Sequence, residues 1–239
     1  MLIIEVNCRK IPIGVFVNST LLIFTKYPHP GTVKTRLAAT VGQALATEFH
    51  ARSAEYTFRQ AVAVQDAMDV SIWYAGKDDH EAMRQWLEDS NLSFPIIPQS
   101  GKDLGERLHH AVFHAFEANA STVLIIGTDT PDISPELLRE AQLALRTKDI
   151  VLGPAFDGGY YLLGMNRYSP TLFEDIAWSS SGVAIETIQK AHDAQLSVAM
   201  LDPLLDIDTI EDVRQWLRLE TTREDHPLYP LVYQLNTHE

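Results

Sequence analysis

Short unbroken apolar runs alternate with segments of helical spacing along most of the chain. "TLLIFTK", "DVSIWYAG", "SFPIIPQ" and "STVLIIGTD" read as strands, and the wholly apolar centre of the last suits a central parallel strand. Between the first two, residues 33–64 place Leu37, Val41, Leu45, Phe49, Tyr56 and Val62 at helical intervals, with a break expected near Gly42. "HEAMRQWLED" and "LGERLHHAVFHAFEAN" read as helices on the same ground. "SPELLREAQLALRT" announces its own start, with Ser134 as N-cap, Pro135 in the first helical position and Glu136 in the first turn.

After residue 149 the simple alternation stops. "DIVLGPAFDGGYYLLGM" predicts two extended segments joined through an Asp-Gly-Gly turn, followed by helices near residues 169–176 and 182–195. "SVAMLDPLLDIDTIEDVRQWLRLE" predicts a short strand, a carboxylate-bearing loop and a helix capped by Asp208 or Thr209. The order of elements implies an α/β chain: one Rossmann-like domain over residues 20–220, with a mixed, mostly parallel sheet and helices on both faces. Residues 1–19 read as an extension, with an added strand as one form, because Glu5, Arg9 and Lys10 interrupt what would otherwise resemble a secretory leader. The aromatic, Pro-punctuated tail 221–239 is expected to pack along the surface or against a partner subunit, as in a homodimer.

Charge narrows the function classes. With 32 acidic against 19 basic residues in 239, the net charge of -13 argues against general nucleic-acid binding, which needs broad basic surfaces. A single cysteine, Cys8, gives no disulfide framework and points to a reducing cytoplasmic location. No apolar run approaches the ~18 residues of a membrane span.

Against that acidic background, "IFTKYPHPGTVKTRLA" stands out. Between Glu5 and Glu48 lie 42 residues without one carboxylate, where the overall frequency predicts about six. Lys26, Lys34 and Arg36 surround its Pro-His-Pro-Gly turn, and with the backbone N–H groups near Gly31 they suit a phosphate. A solvated basic helix start explains the same residues. The spacing is not that of a Walker A loop.

Ligands of open α/β sheets bind beyond the carboxyl ends of strands, so carboxylates just after the apolar runs are informative. Asp129 ends a buried strand in "IIGTDTPD", where a charge is costly unless paired or bound to a cation. Asp132 follows it, and would serve equally as the cap of the next turn. Asp206 and Asp208 in "LLDIDTIED" point the same way if the segment is extended, as two ligands of one cation would. Asp208 could instead cap the helix, with Glu211 completing the arrangement. Hard oxygen ligands of this kind suit Mg²⁺ or Mn²⁺ bridging a diphosphate. Asp157, followed by Gly158 and Gly159 in "GPAFDGGYYLLG", is a candidate contact for a substrate hydroxyl or a catalytic proton, although a hairpin turn alone explains "DGG". Trp178 with Ser179–Ser181 reads either as an acceptor loop or as a core tryptophan beside a helix cap. His109, His110 and His114 lack partners at zinc-ligand spacing and are expected on a helix surface.

Six motifs in order, "FTKYPHPGTVKTRL", "GKDLGERL", "IIGTDTPD", "VLGPAFDGGYYLLG", "WSSSGV" and "DIDTIEDV", carry a resemblance that covers about residues 20–217. The chain resembles the bacterial glycosyltransferase-like family known as domain of unknown function 2064. That family is similar in fold to nucleotide-diphospho-sugar transferases of the glycosyltransferase A type, and more distantly to phospholactate and molybdopterin guanylyltransferases. The resemblance implies that the basic loop binds nucleotide phosphates, that Asp129 holds the divalent metal and that an aspartate of "DIDT" lies near the same ion. The candidate substrate-binding set also takes in Gly105 of "GKDLGERL", Gly158, Gly159 and Trp178. Thr130 and Pro131 follow Asp129 where an Asp-x-Asp pair would continue, and "YPHPGTVKTR" stands where nucleotidylyltransferases carry a Gly-rich loop.

The expected activity is metal-dependent glycosyl transfer from a nucleotide sugar to an acceptor the sequence does not specify, with Asp157 and Asp129 as catalytic carboxylates. Nucleotidyl transfer from a nucleoside triphosphate to a phosphorylated acceptor is the alternative. A non-catalytic nucleotide-binding protein is the second alternative.

Overall fold

The computed structural model of the chain describes residues 18–219 and 224–237. Its strands are β1 (Ser19–Lys26), β2 (Asp69–Ala75), β3 (Ile96–Pro98), β4 (Thr122–Ile126), β5 (Ile150–Pro154), β6 (Tyr160–Met165) and β7 (Val198–Met200). Its helices are α1 (Thr35–Val41), α2 (Gln43–Val62), α3 (His80–Asp89), α4 (Leu104–Glu117), α5 (Pro135–Ala144), α6 (Val183–Asp193), α7 (Ile210–Trp216) and α8 (Tyr229–Thr237). The strands form one sheet in the order β3-β2-β1-β4-β6-β5-β7. Every neighbouring pair is parallel except those made by β6, which runs antiparallel to β4 and β5.

The reversal at β6 follows from its connection. Only residues 155–159 separate it from β5, too few for the crossover a parallel partner needs. Because Leu162 pairs with Ile126 at the end of β4, the reversal carries Tyr160 and the preceding turn to the edge where β1 and β4 terminate. The loops that follow β1 and β4 and the start of β6 therefore share one edge of the sheet.

Strand alternation divides the core. Leu21 and Ile23 of β1 face α2, α3 and α5, among Phe58, Met83 and Leu138. Leu22 faces the opposite layer, with Leu108 and Val112 of α4 and Ala184 of α6. Both faces are covered, as the apolar strands predict. A third cluster joins Leu37, Phe49, Ile207, Val213 and Trp216 to Leu228, Val232 and Leu235, so α8 closes over α2 and α7.

Three local expectations change. Residues 169–176 form only a 3-10 turn, Pro170–Leu172, and Asp175 at φ 50° and Ser179 at φ 66° turn the chain away from helix. Thr209 rather than Asp208 caps α7, in a capping box completed by Asp212 rather than Glu211. The "PLLDID" segment is not part of a strand, since β7 ends at Met200. The proposed extra strand and Cys8 lie outside the described residues, whereas Ser19 already belongs to β1. No helix among the described residues is long and apolar enough to cross a membrane.

Candidate functional site

At the carboxyl ends of β1 and β4 lies a cavity of about 560 Å³. Lys26, Lys34 and Arg36 line it together with Asp129, Asp206 and Asp208. Two stretches of opposite charge, far apart in sequence, thus meet at the sheet edge. Nothing but tertiary folding joins them.

Lys34 is the hinge of the arrangement. Its side chain is only 2% exposed, and Nζ lies 2.7 Å from Asp129 Oδ1 and 2.8 Å from Asp208 Oδ1. Its backbone sits in the left-handed region at φ 46°, ψ 43°, immediately before α1. For a residue with a Cβ that conformation costs about 1–2 kcal/mol, and the two ion pairs hold it there. Burial opposes the charge on Lys34, but the flanking carboxylates outweigh it and the ammonium titrates above an ordinary lysine. For Asp129, burial pushes upward, yet Lys34 and His50 together draw the carboxyl well below the usual range. The expectation that Lys34 meets phosphate directly is therefore altered, because its charge is already engaged.

Backbone bonds fix the carboxylates. Ile207 N–H donates to the Asp129 carbonyl at 3.0 Å, and the Ile207 side chain is buried in the third cluster. Asp206 and Asp208, on either side of it, both line the cavity. Asp208 N–H donates to Asp212 Oδ2 at 3.1 Å, while Lys34 engages the Asp208 carboxylate and Thr209 takes the cap. Asp206 accepts from the Thr130 hydroxyl. Burial, opposed by that bond and reinforced by the Asp129 charge, pushes the Asp206 carboxyl up to about 7.

Lys26 and Arg36 are exposed at the cavity, and neither forms an ion pair with another described residue. Gly31 lies in the turn between them at φ 81°, and Thr32 beside it lines the wall. The turn is tied down by Thr32 Oγ1 donating to the His29 carbonyl at 2.9 Å and by His29 Nε2 at 2.8 Å from Asp79 Oδ1.

Asp157, Gly158 and Gly159 stand beside the cavity rather than in its lining. Asp157 Oδ1 accepts from Gly159 N–H at 2.8 Å, closing its own turn. Gly158 has φ 91°, and a Cβ there would lie 2.0 Å from the Ser181 carbonyl oxygen, so the turn is pressed against the residues that lead into α6. Gly105 and Trp178 also lie outside the lining. They face one another, a Cβ on Gly105 falling 2.2 Å from Trp178 Nε1, and Ser179 is the member of that loop that reaches the cavity. Asp132 accepts from Trp216 Nε1 at 2.9 Å and belongs to the packing of α7. The three helix histidines make no metal cluster, and no group of three His, Cys, Asp or Glu side chains among the described residues does.

Several cavity residues escaped the sequence reading. His50 of α2 is buried, with Nε2 3.0 Å from the Lys26 carbonyl and Nδ1 3.9 Å from Asp129 Oδ1. Thr25 and Thr128 line the cavity and pair their hydroxyls at 3.2 Å, and Ser53 donates to the Thr128 carbonyl at 2.6 Å. Tyr160 and Tyr161 enter from β6, and Arg107 from α4. His50 sits in an ordinary helical pattern, so only its position beside Lys26 reveals it. Tyr160 and Arg107 lie within "GPAFDGGYYLLG" and "GKDLGERL", where the glycines and aspartates carry the local signal.

The model of the bacterial family described as an uncharacterized conserved protein, domain of unknown function 2064, matches residues 57–180, more than half of the chain. The chain belongs to this family. A solved structure from Desulfovibrio desulfuricans G20, provisionally assigned as a nucleotide-diphospho-sugar transferase, is 33% identical, with 90% of this chain and 94% of that one covered and a TM-score of 0.83. The 4-diphosphocytidyl-2C-methyl-D-erythritol synthase of Anaerococcus prevotii is similar in fold at 12% identity, TM-score 0.53 and coverage of 81% and 94%. A cytidylyltransferase from Leptospira borgpetersenii is likewise similar at 13% identity, TM-score 0.53 and coverage of 92% and 94%. At such identities the last two show the fold alone. No curated protein matches the chain significantly.

Proposed function

We propose that this protein is a transferase that moves a sugar from a nucleoside diphosphate donor to an acceptor. One observation carries the reading: three cations of the basic stretch and three carboxylates line a single cavity at the carboxyl edge of the sheet. The 33% identical relative, provisionally assigned to the same chemistry, supports it. We propose residues 20–220 as the catalytic domain, with residues 1–19 and 221–239 as additions to it.

The donor set fits a divalent ion held partly by substrate. Asp129 and Asp208 are each 44% exposed in their side chains, and Lys34 engages one oxygen of each. Two carboxylates completed by water and phosphate oxygens are what Mg²⁺ takes. Asp129 and Asp208 would hold Mg²⁺ or Mn²⁺, with Asp206 behind them on the Thr130 hydroxyl. When bound, the ion supplies positive charge against the departing diphosphate.

The chain's own residues do the rest. Lys26 and Arg36, without carboxylate partners, bind the diphosphate and stabilise the charge that grows on it as the glycosidic bond breaks. Lys34 keeps Asp129 and Asp208 together against their mutual repulsion. Asp157 at the rim is the proposed acceptor contact, with Oδ2 available to take the acceptor's proton.

The test is incubation with Mn²⁺ and separate panels of nucleotide sugars and nucleoside triphosphates. Release of a nucleoside diphosphate from a nucleotide sugar is expected, with Asp129→Asn reducing kcat/KM by about a hundredfold or more. Pyrophosphate release from a triphosphate with a phosphorylated acceptor would move the assignment to nucleotidyl transfer. Tight binding with no turnover of either panel would leave a binding protein.

A further inference from the structure

We propose that the Tyr160 hydroxyl reads a hydroxyl of the sugar carried by the nucleoside diphosphate, an inference that rests on the function proposed above. Among the described residues, only two buried side-chain nitrogen or oxygen atoms lack a hydrogen-bond partner: Asp129 Oδ1 and Tyr160 Oη. Both residues line the same cavity. Asp129 Oδ1 at least has the Lys34 ammonium at 2.7 Å, whereas no such charge compensates Tyr160 Oη. A buried hydroxyl with no partner has given up its bonds to water and gained nothing, and such atoms are rare away from ligand sites.

The adjacent tyrosine shows that the strand can satisfy a phenol when it needs to. Tyr161 Oη donates to the Asp202 carbonyl at 2.9 Å. Tyr160 points to the other face of the sheet, where its ring packs against the layer that holds Leu108, Ile125 and Leu163. Burial pushes its phenol well above the ordinary tyrosine range, so the group stays a neutral O–H donor.

The walls of the cavity divide accordingly. Lys26, at the end of β1, and Arg36, in the first turn of α1, serve the diphosphate, and Lys34 between them holds the carboxylates. Phe24, Leu104, Leu108 and Ile125 supply an apolar surface from the α4 side, the side on which Tyr160 packs. An apolar wall with a single neutral donor suits the ring of a sugar, which offers C–H faces and hydroxyl edges. The hydroxyl is closed to water in the free protein, so side chains around it must part as the sugar enters.

Tyr160→Phe removes only the hydroxyl and keeps the ring. Its melting temperature is expected to equal or exceed that of the wild type, because the lost atom has no protein partner. Calorimetric titration with UDP-glucose, ADP-glucose, dTDP-glucose and GDP-mannose, each beside its own nucleoside diphosphate and all with Mn²⁺, measures what the sugar adds. At least one sugar nucleotide is expected to bind the wild type about fivefold more tightly than its nucleoside diphosphate, the worth of one neutral hydrogen bond. Tyr160→Phe is expected to erase that difference while leaving the nucleoside diphosphate affinity within about twofold. A lowered melting temperature, a difference that survives in Tyr160→Phe, or no difference in the wild type overturns the assignment of Tyr160 while the nucleotide reading stands. If the wild type binds none of these ligands, the nucleotide reading fails and this inference with it.

Discussion

Lys34 holds Asp129 at 2.7 Å with a side chain that is almost wholly buried, so the basic stretch after β1 and the carboxylate that ends β4 form one electrostatic unit. Asp208 joins them at 2.8 Å from the same ammonium. A lysine in left-handed backbone conformation between two aspartates is locally unfavourable and globally compensated. It also separates the cations into two kinds: one that organises the carboxylates, and two, Lys26 and Arg36, left exposed at the cavity without a carboxylate among the described residues.

Lys34→Met should therefore act on stability as well as binding. It leaves Asp129 and Asp208 facing each other without their shared cation. Fully buried pairs lose about 3–5 kcal/mol when one partner goes, but both carboxylates are 44% exposed, and solvent reduces the expected loss to about 1–3 kcal/mol. Added Mn²⁺ should raise the melting temperature of Lys34→Met more than that of the wild type, because the ion replaces the missing charge. Equal stability with equal Mn²⁺ response would show that the pairing contributes nothing.

Asp132 gives a pH signature away from the cavity. Its burial outweighs the bond from Trp216 and the nearby His226 charge, and its carboxyl titrates above the ordinary 3.8. The folded state thus holds this proton more tightly than the unfolded chain. Its contribution to stability is fully present below the unfolded pKa and is lost as pH rises through the folded one. Asp132→Asn keeps an acceptor for Trp216 and has no proton to lose, so urea melts should show it gaining on the wild type from about pH 4 upward. A constant difference across that window would refute the assignment.

Gly158→Ala tests the contact between the Asp157 turn and the chain entering α6. The added Cβ meets the Ser181 carbonyl at 2.0 Å, at a φ of 91°. A loss of about 2 kcal/mol or more is expected. Gly127→Ala is the control, since a Cβ there meets nothing within 4 Å. Chemical denaturation of both variants decides it, and similar curves would mean that the turn is free to move.

Much of the architecture was legible in the sequence because it depends on local periodicity. The apolar centre of β4 and the Ser134 cap of α5 follow from neighbouring residues alone, and so does the break at Gly42. The location of charge was legible too, because a carboxylate at the end of a buried strand and a basic run in an acidic chain are both anomalies of position. Where local rules compete, the sequence left the choice open. Asp208 and Thr209 were equal candidates for the α7 cap until Lys34, distant along the chain, claimed the Asp208 carboxylate.

What only the tertiary structure decided is which groups share space. Sequence chemistry grouped Lys26, Lys34 and Arg36 as one phosphate-binding set, but burial and proximity assign Lys34 to the carboxylates. The same chemistry linked Gly105 and Trp178 to substrate, and the folded chain packs them against each other. As an aromatic residue in a strand, Tyr160 carries no local signal of a site. Its significance comes from an unpaired hydroxyl at a cavity wall, a property that exists only once β6 reverses direction and brings it beside the ends of β1 and β4.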